Sequence, residues 1–438
     1  MDIIIGFAVF MVSMIGCLIW DLNMIIGLVI GLISFLIVGM FRGFTFRQVL
    51  GYAYEGAKES LLVIKVMLLI GIITATWRAC GTITFFVYYG VKVITPPLFV
   101  VITFLLASLL AYALGTSFGV VGTLGVIFMA LARSGGVNEI ITAGAIMSGI
   151  YFGDRNGPAS SSANLVAIIT KTDLFENIRM MLKTAVIPMG ICLVLYGILS
   201  FGNPINQVDE NILSGFTSEF KISYWLALPA GLMLVLPLLK VNVIRSLTAS
   251  IAAGVCLTLV LQGTSITETI KFLILGYKSG NADLAPIING GGMVSMIEVC
   301  GIVVISCAYS GLFNNTNMLD SIQRQLENMS SRIGRFGAMI VVSLLSCMIF
   351  CNQTVASMLC NDLLAKPYED AGATREELAI DIENSVIVLA GIVPWCVACS
   401  FPLKTMGVGI ETLLFSFFIY LMPITYAFTK KIWYNIRL

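Results

Sequence analysis

Histidine is absent from the sequence, and charged residues are scarce. Only 11% of the 438 residues are Asp, Glu, Lys or Arg, whereas soluble domains carry about 25%. Hydrophobic residues make up 58% of the chain, and the mean hydropathy is +0.97. This composition predicts an all-α polytopic membrane protein surrounded by the lipid bilayer. The net charge is only +1, so no nucleic acid partner is expected.

The absence of histidine also limits which residues could transfer protons or catalyse a reaction. Histidine is the side chain that ordinarily titrates near neutral pH, so any proton coupling must use Asp, Glu, Lys, Tyr or water. Without it, the usual set of nucleophile and base for an enzyme is not assembled, and the chain has no Gly-x-x-x-x-Gly-Lys-Ser/Thr phosphate loop. Neither an enzyme nor a primary pump is expected, and no cofactor is predicted.

Cysteine is present but does not indicate a metal site. Eleven cysteines occur, almost all inside apolar runs, and Cys396 and Cys399 form a C-x-x-C without a second pair. We interpret them as small buried apolar residues. No disulfide framework, zinc site or tightly bound metal is predicted, although a transient Na+ ion could bind.

Apolar runs of about 20 residues predict roughly 10–12 spans, some of them discontinuous or re-entrant. Met1-Asp2 leads directly into the apolar run Ile3–Trp20, so the first span is expected to act as its own insertion signal. The protein is therefore predicted to be multi-pass in the plasma membrane. Lys366–Asp381 is predicted to be a charged loop.

One stretch, Ser148–Asn164, interrupts an otherwise apolar region with polar residues. An acid and a base are followed by Gly157-Pro158, three serines and an asparagine. Broken backbone at membrane depth persists only where protein or a water-filled cavity surrounds it, and such breaks form the solute sites of secondary transporters. A second glycine-flanked break lies at Gly115–Gly119. The alternative is that Ser148–Asn164 is an aqueous loop between two spans.

A repeat is indicated by a shift of 220 residues, which pairs Cys80 with Cys300 and Tyr89 with Tyr309. The predicted units are residues 1–201 and 222–438, joined by a linker at 202–221. The loop Phe41–Arg47 carries two arginines, whereas the equivalent loop carries a glutamate. The positive-inside rule then places these loops on opposite faces, as expected for inverted repeats.

In combination, several motifs resemble the NhaC-type Na+/H+ antiporter family of the ion-transporter superfamily. They are Thr76-Trp77, Gly81-Thr82-Ile83, Tyr88-Tyr89-Gly90, Gly115–Gly119, Gly122–Gly125, Tyr151–Arg155, Pro158, Ser160, Asn164-Leu165, Thr172–Phe175, Asn352-Gln353, Lys366–Tyr368, Gly372, Glu377-Leu378, Glu383 and Ile392–Trp395. The match covers most of residues 60–200 and 350–410. The resemblance implies an elevator-type mechanism and a homodimer.

The sequence departs from the family pattern at two carboxylates. Where the family reads G-D-K-M-S-P-L-S-D-T-T-N, the second aspartate is Ser161 here, and where it reads L-E-D, the last residue is Asn384. These losses weaken the case for a bare Na+ site, since a sodium ion favours anionic oxygen ligands. They favour a neutral or zwitterionic solute bound by hydroxyls and amides.

The predicted function is a secondary active transporter that moves a small solute, an amino acid or an organic acid, coupled to H+ or Na+. The alternatives are a Na+/H+ antiporter proper and a channel. The solute or ion site is expected near the bilayer midplane, where the polar breaks of both halves meet. Its candidate residues are Thr116, Ser117, Asp154, Ser160, Ser161, Ser162, Asn164, Asn352, Gln353, Thr354, Glu383, Asn384 and Ser385.

Two further charges, Arg78 and Glu298, are predicted to have coupling or structural roles. Their numbers also differ by 220, so we expect them to occupy equivalent positions and either to meet or to line the same aqueous cavity, because a lone charge at membrane depth is costly. The alternative is that Arg78 reaches an interface and Glu298 lines a cavity by itself. Of the carboxylates, Asp154, Glu298 and Glu383 are the candidates for binding the coupling ion.

Overall fold

The computed structural model describes residues 2–20, 22–93, 96–158, 160–204, 210–239, 241–316, 318 and 333–435. Most of these residues are helical, which confirms the predicted all-α class. The helices of the first part are α1 (Asp2–Ile19), α2 (Met24–Phe41), α3 (Phe46–Glu59), α4 (Leu61–Ala79), α5 (Thr82–Val93), α6 (Phe99–Leu114), α7 (Ser117–Val120), α8 (Val126–Ser134), α9 (Glu139–Asn156), α10 (Ser161–Thr170) and α11 (Leu174–Gly202). A π-helical segment, Val121–Gly125, joins α7 to α8.

The second part of the chain contains twelve further helices among the described residues. They are α12 (Glu210–Glu219), α13 (Leu228–Leu238), α14 (Val243–Val260), α15 (Ile266–Leu275), α16 (Ala285–Ile288), α17 (Ile297–Thr316), α18 (Arg335–Phe350), α19 (Gln353–Asp370), α20 (Arg375–Glu383), α21 (Val386–Leu389), α22 (Val397–Met406) and α23 (Phe417–Asn435). The 3₁₀ segments are Pro96–Leu98, Tyr224–Ala227, Met293–Met296 and Ile410–Phe415.

Helix length and surface polarity agree with a polytopic membrane protein. Within the described residues, five helical segments are long and apolar enough to cross a bilayer, and a sixth span results if bent α3 and α4 count as one. Further apolar helices are shorter, among them α6, α10 and α18. Large apolar side chains face outwards, as on α11, where Val194 is 62% exposed. Such residues are suited to contact lipid, and the total of ten to twelve spans stays a prediction.

Helices α6 and α18 end in the same way, α6 at the predicted break Gly115–Gly119 and α18 just before Asn352. Gly115 follows α6 with φ +62°, and Cys351 follows α18 with φ +51°, both in the left-handed region. Thr116 and Asn352 come next in extended conformation and cap α7 and α19. A left-handed conformation is ordinary for glycine but costly for cysteine, so the second break is held by its surroundings. Val397 supports it by donating its backbone N–H to the carbonyl of Cys351, at 2.9 Å.

The same correspondence holds for other helices. Helices α10 and α22 have ten residues each, and their capping residues, Ser160 and Cys396, have nearly equal backbone angles. The residue numbers of these caps differ by 236, as do those of Gly115 and Cys351. Near the start of each half, however, the N-caps Thr45 and Ser265 differ by 220. These matches support the predicted repeat, whereas its inversion stays a prediction.

The offset between equivalent residues of the two halves changes from 220 to 236. The second half therefore contains an insertion within residues 276–296, between α15 and α17. Helices α4 and α17 begin 236 residues apart, and Arg78 lies in the last turn of α4 whereas Glu298 lies in the first turn of α17. Arg78 and Glu298 are therefore not equivalent positions.

Arg78 and Glu298 also have different partners, so their predicted pairing is wrong. The ammonium of Lys404 lies 2.8 Å from a carboxylate oxygen of Glu298. Arg78 is buried and donates from Nη1 to the carbonyl of Thr74, at 2.9 Å. Glu298 is thus compensated by Lys404, whereas Arg78 is held by a backbone carbonyl of its own helix.

The predicted charged loop Lys366–Asp381 is also wrong. Helix α19 continues to Asp370, and α20 begins at Arg375. Thr374 caps α20 by accepting from the backbone N–H of Glu377, at 3.2 Å. The charges in this region therefore lie on two packed helices, and Asp381 is fully buried.

Close packing of α9 on α6 positions the first half of the candidate site. A Cβ on Gly149 would meet Ala107, and one on Gly153 would meet Ala111. Small residues of this kind allow helix backbones to approach closely in membranes. The contact fixes the carboxyl end of α9, where the first charged candidate lies.

Candidate functional site

Asp154 lies in the last turn of α9, with only 4% of its surface exposed. One carboxylate oxygen accepts a hydrogen bond from the hydroxyl of Ser117 at 3.4 Å, and the other accepts one from Ser160 at 3.3 Å. These long hydrogen bonds come from the two polar breaks of the first half. The structure therefore brings together three residues that the sequence predicted.

Ser160 has a second role as the N-cap of α10. Its hydroxyl accepts from the backbone N–H groups of Ser162 and Ala163, at 3.2 and 3.3 Å, because the chain restarts as a helix after Gly157-Pro158. The hydroxyls of Ser160 and Ser162 are 2.7 Å apart, and the amide of Asn164 donates to the carbonyl of Ser160 at 2.6 Å. Ser161, in contrast, is exposed.

Arg155 connects the two halves of the chain. Its guanidinium is fully buried and donates from Nη2 to the side-chain oxygen of Asn384 at 2.5 Å. The same nitrogen donates to the hydroxyl of Thr184 at 2.8 Å and to the carbonyl of Met181 at 3.1 Å, both on α11. The carboxyl ends of α9 and α20 therefore meet at this side chain.

Glu383, next to Asn384, is fully buried and lacks hydrogen-bond partners for its carboxylate. Neither oxygen accepts a hydrogen bond from any residue that the structure describes. The amide nitrogen of Asn384 and Nε of Arg155 likewise donate no hydrogen bond to any described residue. Glu383 interacts electrostatically with Arg155 and with Asp154. Buried polar groups are normally hydrogen-bonded, so these unpartnered donors and acceptors form an unsatisfied polar cluster that a bound species would complete.

The charges of this cluster do not balance. Asp154 and Glu383 supply two negative charges when ionised, and Arg155 supplies one positive charge. Because an uncompensated charge is costly in an apolar interior, one monovalent cation or one proton at a time would neutralise the cluster. Asp154 and Glu383 are the carboxylates that could hold a transient Na+ ion.

The other predicted residues cap helices or lie apart from the cluster. Thr116 caps α7 by accepting from the N–H of Gly119 at 3.3 Å, and Asn352 caps α19. Gln353 donates to the carbonyl of Ile387 at 2.7 Å, and Thr354 is exposed.

Ser385 belongs to the framework around α20. Its hydroxyl donates to the carbonyl of Asp381 at 2.6 Å and accepts from the hydroxyl of Ser343 at 3.1 Å. This residue therefore secures the end of α20 by contacts within the second half.

A second buried charge network was not foreseen from the sequence. Asp381 accepts from the hydroxyls of Tyr368 at 2.5 Å and Tyr426 at 2.9 Å, and it pairs with Lys430 of α23. Glu377 pairs with the same lysine at 2.8 Å and with Arg335 at 3.0 Å. The four charges compensate one another, which suits a structural role in joining α18, α20 and α23.

The sequence pattern does not identify Arg155 as a site residue, although it lies next to Asp154. The available signal was an arginine within an apolar stretch, since ionisable residues at membrane depth usually have a function. Tyr151 gave no such signal. Its hydroxyl donates to the carbonyl of Ala398 at 2.5 Å, linking α9 to α22.

Comparison with known proteins relates the chain to antiporters. A family model described as the Na+/H+ antiporter family matches residues 149–429. The malate-2H(+)/Na(+)-lactate antiporter of Bacillus subtilis (strain 168) is 26% identical over 447 residues, covering 99% of this chain and 96% of the relative.

Two further relatives are similar over most of their lengths. The Na(+)/H(+) antiporter NhaC of Alkalihalophilus pseudofirmus is 27% identical over 379 residues, covering 84% of this chain and 81% of the relative. The arginine/ornithine antiporter ArcD of Halobacterium salinarum is 25% identical over 428 residues, covering 89% and 87%.

Proposed function

The chain belongs to the Na+/H+ antiporter family, and from this premise we propose that it exchanges a small amino acid or organic acid for a coupling ion, H+ or Na+. Membership of the family makes it a secondary antiporter of the membrane rather than an enzyme. The names of its relatives include a malate and lactate exchanger and an arginine and ornithine exchanger. They support an organic solute as part of the proposal.

The observation that carries the proposal is the unpartnered carboxylate of Glu383. It is fully buried beside Arg155 and Asp154 at the point where α9 and α20 meet. A proton or Na+ bound there would neutralise the cluster, and its departure would restore the net negative charge. A carboxylate whose charge is neutralised only when a cation or proton binds is what obligatory coupling requires.

The solute would bind next to the coupling carboxylate. The amide nitrogen of Asn384 and Nε of Arg155 are unpartnered donors there, and Ser117, Ser160 and Ser162 supply hydroxyls. These groups suit a carboxylate or a zwitterion. Ser161 and Asn384 stand where the family pattern has carboxylates, which further favours a solute that is not a bare cation.

The remaining parts of the proposal concern how the protein moves and where it works. Two inverted repeats would provide alternating access by an elevator-type movement. The protein would act as a homodimer in the plasma membrane. The equal lengths of α10 and α22, and the similar backbone angles of their N-cap residues, support the repeat on which this mechanism depends.

Reconstitution into liposomes tests the function directly. Vesicles would be loaded with malate, lactate, arginine or ornithine, and uptake of the same labelled solutes would be measured with proton and sodium gradients imposed separately. We expect at least one solute to accumulate under one of the two gradients. Glu383→Gln should abolish gradient-driven accumulation because an amide cannot exchange a proton.

Glu298→Gln provides the matched control. Glu298 is also a glutamate on a membrane helix, but it is partly exposed and paired with Lys404, so accumulation should persist in this variant. Accumulation that survives Glu383→Gln would contradict the assigned role of Glu383. Failure of every solute to respond to either gradient would contradict the proposed exchange of organic solutes.

A Na+/H+ antiporter proper is the second candidate. The cluster of Asp154, Arg155 and Glu383 favours it, since a site with a net charge of −1 when both carboxylates are ionised could alternate between Na+ and H+ without an organic solute. The same vesicles distinguish the two functions. Sodium-driven proton movement with no solute present would support the second candidate, whereas a strict requirement for a solute would support the first.

A further inference from the structure

A cavity of about 490 Å³ opens where α10 and α19 end and α20 begins. Lys171 lines it from the carboxyl end of α10, Glu369 from α19, and Arg375 from the start of α20. Basic residues surround this end of the bundle, including Lys366 and Lys430. The positive-inside rule therefore places the cavity at the cytoplasmic face.

The three helices around the cavity lead to the candidate site. Helix α10 begins beside Ser160, α19 begins after Asn352, and α20 ends at Glu383. A helix of ten residues is about 15 Å long. The cavity and the candidate site thus lie at opposite ends of α10 and α20.

In the other half, the residues equivalent to Glu369 and Arg375 form an ion pair. The offset of 236 relates Glu369 to Arg133 and Arg375 to Glu139. The basic residue therefore comes first in the first half, and the acidic residue comes first in the second half. Nε of Arg133 lies 2.8 Å from a carboxylate oxygen of Glu139. Nη2 of Arg133 also donates to the carbonyl of Met406 at 2.8 Å, which ties α8 to the carboxyl end of α22.

The corresponding pair on the cavity side is open. Among the residues that the structure describes, Glu369 and Arg375 form no ion pair, and both side chains line the cavity. Met406 corresponds to Thr170, which is followed by Lys171. In the first half, Arg133 donates to an acceptor, the carbonyl of Met406. In the second half, the equivalent residue is the carboxylate Glu369, which needs a donor instead, and the ammonium of Lys171 can supply it.

We propose that Arg133–Glu139 and Glu369–Arg375 are paired gates of the transporter, the first closed and the second open in this structure. The cavity is then the cytoplasmic vestibule through which the solute reaches the site. In the opposite state, Glu369 pairs with Arg375 and Lys171, and the contact of Arg133 with Glu139 and Met406 breaks. This inference rests on the proposed antiport function and on the inversion of the repeats.

Cysteine accessibility in oriented membrane vesicles tests the gates. Ala373 lines the cavity, and its counterpart 236 residues earlier, Val137, is only 4% exposed. With an impermeant maleimide, Ala373→Cys should react from the cytoplasmic face, and Val137→Cys should react slowly from either face. Adding Arg133→Gln should raise the external rate at Val137→Cys at least fivefold and lower the cytoplasmic rate at Ala373→Cys.

Glu139→Gln removes the same ion pair from the other side and serves if Arg133→Gln does not fold. The chain without added cysteines gives the background from its native thiols. Unchanged rates in both gate variants, or labelling of both positions from the same face, would overturn the proposal. Because labelling requires no solute, these outcomes are separate from the transport assay, in which failure would instead count against the proposed function.

Discussion

At the scale of single residues, Arg155 is where the two halves of the chain depend on each other. Its guanidinium binds Asn384 of α20 and two oxygens of α11, so no local segment can satisfy it. The sequence identified Asp154, Ser160 and Asn384 through polarity at a break. The sequence alone does not show which of these residues contact one another, because the hydroxyl that faces a carboxylate depends on how α9, α10 and α20 pack.

Ser160 and Ser161 provide a test at this scale. Ser160→Ala removes a hydrogen bond to Asp154 and the cap of α10, and loss of such a cap costs about 0.5–2 kcal/mol. We expect a lower Tm in detergent together with reduced transport. Ser161→Ala should leave Tm nearly unchanged because its side chain is exposed.

The sequence predicts at least a tenfold loss of transport in Ser161→Ala, through contact with the solute. Normal transport by this variant would remove Ser161 from the site. Normal stability and transport in Ser160→Ala would show that the hydrogen bonds around Asp154 are dispensable.

At the scale of helices, most boundaries followed from hydropathy and from glycine or proline at the breaks. The repeat register did not. Matches such as Cys80 with Cys300 arise easily in a composition so rich in apolar residues, and they placed Arg78 opposite Glu298. The backbone angles of the caps carry the correct register, since Gly115 and Cys351 share a conformation but not a residue type.

The packing of α9 on α6 gives a prediction about helices. Gly153→Ala would place a methyl group against the backbone of Ala111, and overpacking of this kind costs about 1–3 kcal/mol. Thermal unfolding in detergent should therefore show a clearly lower Tm. Gly190→Ala is the matched control on α11, where a methyl group meets no atom within 4 Å.

Gly190→Ala should keep or raise Tm, because alanine favours the helix over glycine by about 1 kcal/mol. If Gly153→Ala were as stable as this control, the close approach of α6 and α9 would not hold in the membrane. Transport should fall with Gly153→Ala as well, since α9 positions both Asp154 and Arg155.

At the scale of the whole molecule, the predicted inversion of the repeats decides which residues face the same compartment. Arg47 and Thr267 are exposed residues 220 positions apart, on α3 and α15. Arg47→Cys should react with an impermeant thiol reagent only from the cytoplasmic face, and Thr267→Cys only from the opposite face. Reaction of both from one face would exclude inverted repeats while leaving the antiport function intact.

The buried pair of Asp381 and Lys430 has a consequence for synthesis of the protein. These residues are 49 positions apart, and translation proceeds at about 5–20 residues per second, so the carboxylate waits about 2–10 s for its lysine. During that interval Asp381 must stay hydrated or protonated, and α20 cannot yet seat against its neighbours. A nascent chain arrested before Lys430 should leave a cysteine at Ala379 open to a hydrophilic thiol reagent, whereas one arrested after α23 has emerged should protect it. Helix α20, which carries Glu383, would then be among the last parts of the transporter to settle in the membrane.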